Sequence, residues 1–335
     1  MSLAAPLDLQ SLAGQRILIS GAAGFLGGAL ARRLATLPGT RIVALVRNAA
    51  RARSRLADIA PAVEFLEWDL NRIAVPDLGG PVDQVIHAAA QASPRFYGSD
   101  PVGTLMPNAV GTAALLQAAQ AAGAKGFVFV SSSEVYGTVS SETALAETDG
   151  GRVDCASLRA CYAESKRLGE TLCVAWHQQH GLPTYIVRPF HTYGPGLTAE
   201  DGRVFADFAF AVARGMPLVM TSDGSARRAF CYADDAVEGL LTVLLKGQPA
   251  TPYNLANPQA ELSVRELAEL LVSIGQDLGL PTRLEQRPPP GGYLPSPFNR
   301  LVPDIGRLQA LGWQPQIGAR EGFTRFIEHI RRSEA

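Results

Sequence analysis

The chain of 335 residues is 47% hydrophobic and 18% charged with a formal net charge of −1, enough apolar material for one large or two medium domains with a sizeable core. A balance so near neutrality leaves no electrostatic footprint for nucleic acid or an acidic membrane surface. The N-terminus lacks a basic segment followed by a long apolar core, and no apolar run reaches membrane-spanning length, so a cytoplasmic protein without membrane partners is expected.

The first element is a short apolar run, Ile17 to Ile19, that reads as a buried strand and meets three glycines, Gly21, Gly24 and Gly27. Ala29, Leu30 and Leu34 then set a helical period. A strand, a tight glycine turn and a helix start are the ingredients of a dinucleotide-binding unit. In such a unit Gly21 allows the turn, Gly24 lets backbone approach a pyrophosphate, Gly27 lets helix and strand pack closely, and the helix N-terminus faces the phosphates.

Residues 41–47 read as the second strand. An acidic residue usually closes this strand and holds the adenosine ribose hydroxyls; here Arg47 stands in that place, with Arg51 and Arg53 nearby. Arginine there suits a 2′-phosphate or an adenine stack, or else is a solvated surface residue. Residues 63–69 form a third strand ending in Asp69 and Leu70, a candidate adenine-edge contact. Residues 82–88 form a fourth, running into the small residues Ala88 to Ala90 where a cofactor can lie close to backbone.

Residues 108–122 are a long alanine- and leucine-rich helix stopped by Gly123, and 126–130 are a fifth strand running into Ser131, Ser132, Ser133 and Glu134. Residues 156–180 read as one long helix, and 184–190 as a sixth strand followed by His191. Alternating strands and helices predict an α/β fold with a doubly wound parallel sheet, a Rossmann fold, whose ligands sit at the C-terminal strand ends. Looser helices follow at about 205–214, 233–246 and 263–278, then a proline-rich crossing loop at 287–297 and a final helical pair. Residues 1–190 are expected to bind the dinucleotide, with about 225–257 returning to that domain, and 191–335 to form a smaller α/β substrate-binding domain. The four cysteines, Cys155, Cys161, Cys173 and Cys231, show no metal-ligand spacing, and no metal is expected.

Tyr162 and Lys166, four residues apart, share a helical face. An ammonium or an oxidised nicotinamide near a phenol lowers its pKa. Such a tyrosine can take a proton from a sugar hydroxyl while hydride leaves the same carbon. With the glycine turn and strand-end serines, this pair makes the chain resemble an extended short-chain dehydrogenase/reductase of the nucleotide-sugar epimerase, dehydratase and decarboxylase group. Gly21-Ala-Ala-Gly-Phe-Leu-Gly27 resembles the family's cofactor turn, Tyr162 and Lys166 its catalytic pair, and Ser132 the residue that hydrogen-bonds the reacting oxygen. Arg228-Ala-Phe-Cys-Tyr-Ala-Asp-Asp235 resembles a segment whose arginine holds the substrate diphosphate. Arg300 and Asp304, with Leu311-Gly-Trp-Gln-Pro315, resemble the C-terminal signature, where the arginine is another diphosphate contact.

The finer resemblance, in Ala160-Cys-Tyr-Ala-Glu-Ser-Lys-Arg167, Asp100-Pro-Val-Gly-Thr104, Ala92-Ser-Pro94 and Asp201-Gly-Arg-Val204, is to the UDP-glucuronate decarboxylase branch. Glu134 also resembles the dehydratase and decarboxylase branches rather than the 4-epimerases; beside C5 of a 4-keto sugar it can abstract or deliver a proton, or it merely caps or salt-bridges near the strand end. The resemblance implies tightly bound, recycled NAD or NADP held by Gly21, Gly24, Phe25, Leu26, Gly27, Arg47, Asp69, Leu70, Ala88, Ala89, Asn108, Ser131, Tyr162, Lys166 and Pro189. It implies a nucleotide-sugar substrate, a UDP-sugar before others, met by Ser93, Ser133, His191, Arg203, Val204, Arg228 and Arg300. It also implies a homodimer through a four-helix interface.

Three positions depart from the family pattern. His191 stands where asparagine is usual and is suited to bond a phosphate or titrate near neutrality. Arg47 replaces the acidic ribose binder. Ser133 stands where dTDP-glucose dehydratases carry an acid aspartate. The leading expectation is C4 oxidation followed by loss of CO2 or water, the alternative 4-epimerisation. An NADPH-consuming keto-sugar reductase gains from Arg47. A silent cofactor-sensing module would have no need of Tyr162, Lys166 and Ser132.

Overall fold

The computed structural model describes residues 7–139, 143–288 and 299–334. Its first half alternates strand and helix: β1 (Arg16–Ser20), α1 (Phe25–Ala35), β2 (Arg41–Val46), α2 (Ala49–Arg55), β3 (Val63–Glu67), β4 (Gln84–His87), α3 (Arg95–Ser99), α4 (Pro101–Leu105), α5 (Val110–Ala121), β5 (Gly126–Val130), α6 (Ala160–His180) and β6 (Thr184–Pro189). The rest runs β7 (His191–Tyr193), α7 (Val204–Ala213), β8 (Leu218–Met220), β9 (Arg227–Tyr232), α8 (Ala233–Lys246), β10 (Pro252–Leu255), β11 (Glu261–Ser263), α9 (Val264–Asp277), β12 (Leu284–Gln286), β13 (Arg300–Leu301), α10 (Gly306–Ala310) and α11 (Ala319–Glu334).

Seven strands make one wholly parallel sheet in the order β10-β6-β5-β4-β1-β2-β3. The central strand β1 pairs with β2 on one side and β4 on the other, Ile17 facing Ile42 and Gln84. Its apolar run is buried because both faces are covered. Ile17 and Ile19 face a core with Leu30 and Leu34 of α1 and Leu240 and Leu244 of α8. Leu18 faces a second core with Leu115 and Leu116 of α5 and Cys173 of α6. The strand order reverses between β1 and β4, opening a crevice at their C-terminal ends.

A third core lies among α7, α9 and α11, around Phe205, Phe208, Leu267, Leu271, Phe323 and Phe326. Beside it, β9 pairs with β7, β11 and β13 in a small mixed sheet. Tyr193 of β7 stacks on Phe323 of α11 with centroids 3.8 Å apart. Asp235 at the start of α8 ties the C-terminal segment down: its Oδ2 accepts from the amides of Gln316 (3.0 Å) and Ile317 (2.9 Å), and its carbonyl accepts from Trp313 Nε1.

Local signals set the element ends. The chain turns out of α6 at Gly181 with φ 73°, and α9 opens on a capping box between Ser263 and Glu266. Several expected elements are trimmed: the long helix expected from 156 starts at Ala160, because Ser157 N and Ala156 N bond to Asp154 in a separate turn. The expected crossing loop at 287–297 falls largely on residues 289–298, which lie outside the described residues.

Candidate active site

The glycine turn closes on the strand beside it. Gly21 has φ +72°, and a Cβ there would sit 2.8 Å from the Ala89 Cα. At Gly27 a Cβ would come within contact of the Gly21 carbonyl, so helix and turn touch only through glycine. No side chain caps α1 at Gly24, which leaves the first amides, those of Phe25, Leu26 and Gly27, open to an anion. The facing wall is fixed by a hydrogen-bond chain: Ala89 N donates to Ser20 Oγ (3.2 Å), which bonds His87 Nδ1 (2.7 Å), while His87 Nε2 meets the Pro107 carbonyl at 3.1 Å. Only Nε2 protonated satisfies both partners, and burial holds this imidazole neutral, its pKa near 3.

Beyond this turn lies a cavity of about 290 Å³. Of the expected cofactor contacts, Gly21, Gly24, Arg47, Asp69, Leu70 and Ala89 line it, joined by Arg51, Arg55, Trp68 and Gln91. Trp68 Nε1 is buried with no acceptor among the described residues. The glycine cradle, the uncapped helix end and this orphaned donor fit a dinucleotide. Arg53 does not line the cavity: its guanidinium lies over the Phe65 ring at 4.5 Å. Asn108 is also set back, its amide bonding Thr104 O (3.1 Å) and Ser165 Oγ (3.2 Å), and Pro107 takes the wall position.

The residues expected to be catalytic gather where β5 and α6 meet. Lys166 Nζ donates to the Val130 carbonyl at 2.6 Å and lies 5.8 Å from the centre of the Tyr162 ring. Tyr162 stacks on Tyr97 with centroids 5.4 Å apart and bonds Ser132. Ser132 Oγ accepts from the Glu134 amide at 3.2 Å, and Ser133 is buried in the same turn. Burial pushes the phenol up to about 12, with Glu134 adding to it against Ser132 and Arg203. It pushes Lys166 down to about 7, offset in part by Glu170. The expected lowering of the phenol by the ammonium is therefore not supplied by the chain alone, since burial dominates both groups. Glu134 is raised by burial and pulled back by Arg159, 3.5 Å away, and by Arg228.

Behind this pair, Ser131 Oγ donates to Glu170 Oε1 at 2.5 Å, and Glu170 binds Arg188 through both oxygens (2.9 and 2.7 Å). Arg188 also reaches Tyr136 Oη (3.1 Å), and Tyr136 donates to Asn254 Oδ1 (2.6 Å), which couples α6 to β6 and β10. Pro189 closes β6 beside it.

On the opposite wall, His191 packs edge-on to Phe205 and Phe230, and its Nδ1 is buried without a partner among the described residues. Burial, Arg228 and Arg203 hold it far below the ordinary histidine range, so it stays neutral rather than titrating near neutrality. Arg203 is forked onto Asp201 (2.6 and 2.8 Å), whose carbonyl accepts from Ser93 Oγ, and Val204 follows it at the opening of α7. Arg228 Nη1 donates to its neighbour's carbonyl at 2.7 Å. Arg300 is held by Glu261 (3.0 and 2.8 Å), which also binds Arg227. The structure thus gathers Ser132, Glu134, Tyr162, His191, Arg203 and Arg228 into one electrostatically connected site. Sequence reasoning passed over Arg159, one residue before a quoted motif, and Tyr97, in a stretch with no helical period.

A glycine turn at the switch point of a parallel sheet, followed by a tyrosine–lysine pair on a long helix, defines an extended short-chain dehydrogenase/reductase. The profile of the NAD dependent epimerase/dehydratase family matches residues 17–256, and the chain belongs to that family. It is 35% identical over 322 residues to UDP-glucuronic acid decarboxylase 6 of Arabidopsis thaliana, covering 94% of this chain and 89% of that one. It is 34% identical to UDP-glucuronic acid decarboxylase 1 of Xenopus tropicalis, covering 95% and 72%. Among solved structures it is similar to a dTDP-glucose 4,6-dehydratase of Streptomyces venezuelae with NAD bound (TM-score 0.78, 26% identity, covering 96% and 98%). A UDP-glucose 4-epimerase of Thermus thermophilus in complex with NAD gives a TM-score of 0.78 at 27% identity, covering 94% and 99%. Among the described residues no helix is long and apolar enough to cross a membrane.

Proposed function

We propose that this chain oxidises C4 of a nucleotide-linked hexuronic acid, with UDP-glucuronate as the sugar nucleotide, and releases CO2 from the 4-keto acid. The observation that carries this is Glu134: a carboxyl raised by burial, electrostatically linked to Tyr162 and drawn back by Arg159. A second proton carrier beside the tyrosine serves chemistry at C5, which 4-epimerisation does not require. The decarboxylases among the relatives support the same reading.

Bound NAD(P) supplies the hydride acceptor for C4 and the donor for its later reduction. The chain's own work is proton handling and positioning. Tyr162, bonded to Ser132, takes the C4 hydroxyl proton. The resulting 4-ketone lies β to the carboxylate, so the C5–C6 electron pair moves into the C4 carbonyl as CO2 leaves. Tyr162 and Ser132 hold the enolate oxygen, and Glu134, whose carboxyl pKa burial raises, delivers a proton to C5. Arg203, Arg228 and the neutral His191 form the wall for the diphosphate, with Arg300 at its far edge. Residues 1–190 together with β10 serve the cofactor, and most of 191–335 the sugar nucleotide. The exposed apolar side chains of α4 and α6, Val102, Leu105 and Leu168, support a homodimer through these helices, and we place the protein in the cytoplasm.

The test is incubation with UDP-glucuronate in deuterium oxide. The product should have lost the mass of CO2 and carry deuterium at C5. Glu134→Gln should still reduce the cofactor on adding substrate, visible by absorbance, yet stall before release of the pentose product. A product without deuterium, together with an unimpaired Glu134→Gln enzyme, replaces this reading with 4-epimerisation.

A further inference from the structure

Three guanidinium groups converge on the end of the cleft that follows β2. Arg47 leaves the strand directly, and Arg51 and Arg55 stand four residues apart on one face of α2. Among the described residues none of the three forms an ion pair with a carboxylate. The carboxylates whose charge reaches them are already engaged. Asp100 feels Arg47 but accepts from Gln91 Nε2 (2.9 Å) and the Gly103 amide (3.0 Å). Glu200 acts on Arg55 only as a through-space charge, and it lies outside the cavity wall. Asp69, the one carboxylate of that wall, takes the backbone and side-chain amides of Asn71 on its Oδ1 (3.0 and 2.8 Å) and makes no ion pair with the three arginines. Arg55 Nη1 donates to the Ala23 carbonyl at 2.9 Å, which fastens the glycine turn to α2, and its pKa is lowered by burial and then by the like charge of Arg51.

A ribose 2′-hydroxyl needs an acceptor at this position, and the end of β2 presents the Arg47 guanidinium instead, the one side-chain acceptor beside it, Asn48 Oδ1, already taking the Arg51 amide (2.8 Å). A 2′-phosphate is a dianion that needs donors, and a guanidinium meets it in a charge-assisted fork. We infer that this cleft is built for a 2′-phosphorylated dinucleotide, NADP, with Arg47 and Arg51 as ligands of the phosphate and Arg55 holding the turn against them. The inference rests on the dinucleotide reading of the cleft and departs from the NAD of the family's description.

Acid release from the purified full chain identifies the retained nucleotide by mass: NADP is expected, and NAD overturns the inference. After removal of bound nucleotide, calorimetric titration compares adenosine 2′,5′-bisphosphate with adenosine 5′-monophosphate, which differ only in the 2′-phosphate. The bisphosphate should bind about tenfold to a hundredfold more tightly, the range of one or two charge-assisted hydrogen bonds. Arg47→Asp should abolish or invert that gap and Arg51→Ala should narrow it. Arg53→Ala, on the other face of α2, should leave it unchanged. Equal binding in the wild type, or a gap indifferent to Arg47→Asp and Arg51→Ala, overturns the inference and leaves the dinucleotide reading standing. Failure of NAD, NADP and both probes to bind overturns the two together.

Discussion

Tyr162 and Lys166 show how burial prepares a pair of groups that a ligand must then complete. The phenol is held near 12 and the ammonium near 7 in the chain by itself, so the phenol takes up its role in proton transfer only with added positive charge in the cleft. Tyr162→Phe keeps the stack on Tyr97 and the fold but removes the proton acceptor. Turnover should fall by about two to four orders of magnitude; a mutant as fast as the wild type removes Tyr162 from the mechanism. Lys166 makes a separate prediction about stability. Its pKa falls from an ordinary 10.5 to about 7 on folding. Between those values the unfolded chain holds a proton the folded chain has shed, so this residue's contribution rises with pH from 7 towards 10, and below 7 the folded state bears the full cost of a buried ammonium. Lys166→Met carries no such dependence. The wild-type melting temperature should therefore gain on the mutant's between pH 7 and 9, and a constant difference would show that the ammonium is solvated.

At the scale of elements, α6 joins the chemistry to the sheet. Its first turns carry Tyr162 and Lys166, and the next carries Glu170, which Ser131 and Arg188 hold. The Glu170–Arg188 pair is nearly closed to solvent, at 12% and 11% side-chain exposure. Glu170→Gln leaves the guanidinium without its countercharge and should cost about 3 kcal/mol in urea unfolding. The double variant with Arg188→Gln should cost less than the two single variants added together; simple additivity would mean the two do not act as a pair. Six strands of the large sheet were readable, most plainly where a strand covered on both faces is continuously apolar, as Ile17 to Ile19 and Phe127 to Val130 are. The seventh, β10, carries Pro252 and Asn254 and was foreseen only as part of a segment, about 225–257, returning to that domain. The helices from α5 to α9 were readable from their period and from Gly123, Gly181 and Ser263. By contrast α3 and α4, five residues each, are too short to display a period, so Tyr97 went unnoticed. Arg159 sits in a turn, where a single arginine reads as solvated until Glu134 is placed beside it. His191 was legible as a departure, but its neutrality depends on Phe205, Phe230 and two arginines brought from distant segments.

For the molecule as a whole, α4 and α6 carry four exposed apolar side chains, Val102, Leu105, Leu168 and Val174, with Val102 at 68% and Leu168 at 47% exposure. Exposed leucine and valine on neighbouring helices favour pairing with another copy. Light scattering should find a dimer, and Leu168→Asp combined with Val102→Asp should return a folded monomer. A wild type that is monomeric at every concentration would assign these side chains no assembly role.

The seventh strand of the large sheet arrives late. After β6 the chain leaves to build β7, α7, β8, β9 and α8, and only then does Pro252–Leu255 return to pair with β6. At a synthesis rate of about 10 residues per second, the outer edge of β6 waits several seconds for its partner. Tyr185, Ile186 and Val187 stand open through that interval, a parallel edge of the kind that recruits other chains. The growing polypeptide thus meets its greatest risk of aggregation after the whole Tyr162–Lys166 helix has been made, and a chain broken off before Pro252 would keep that edge open permanently.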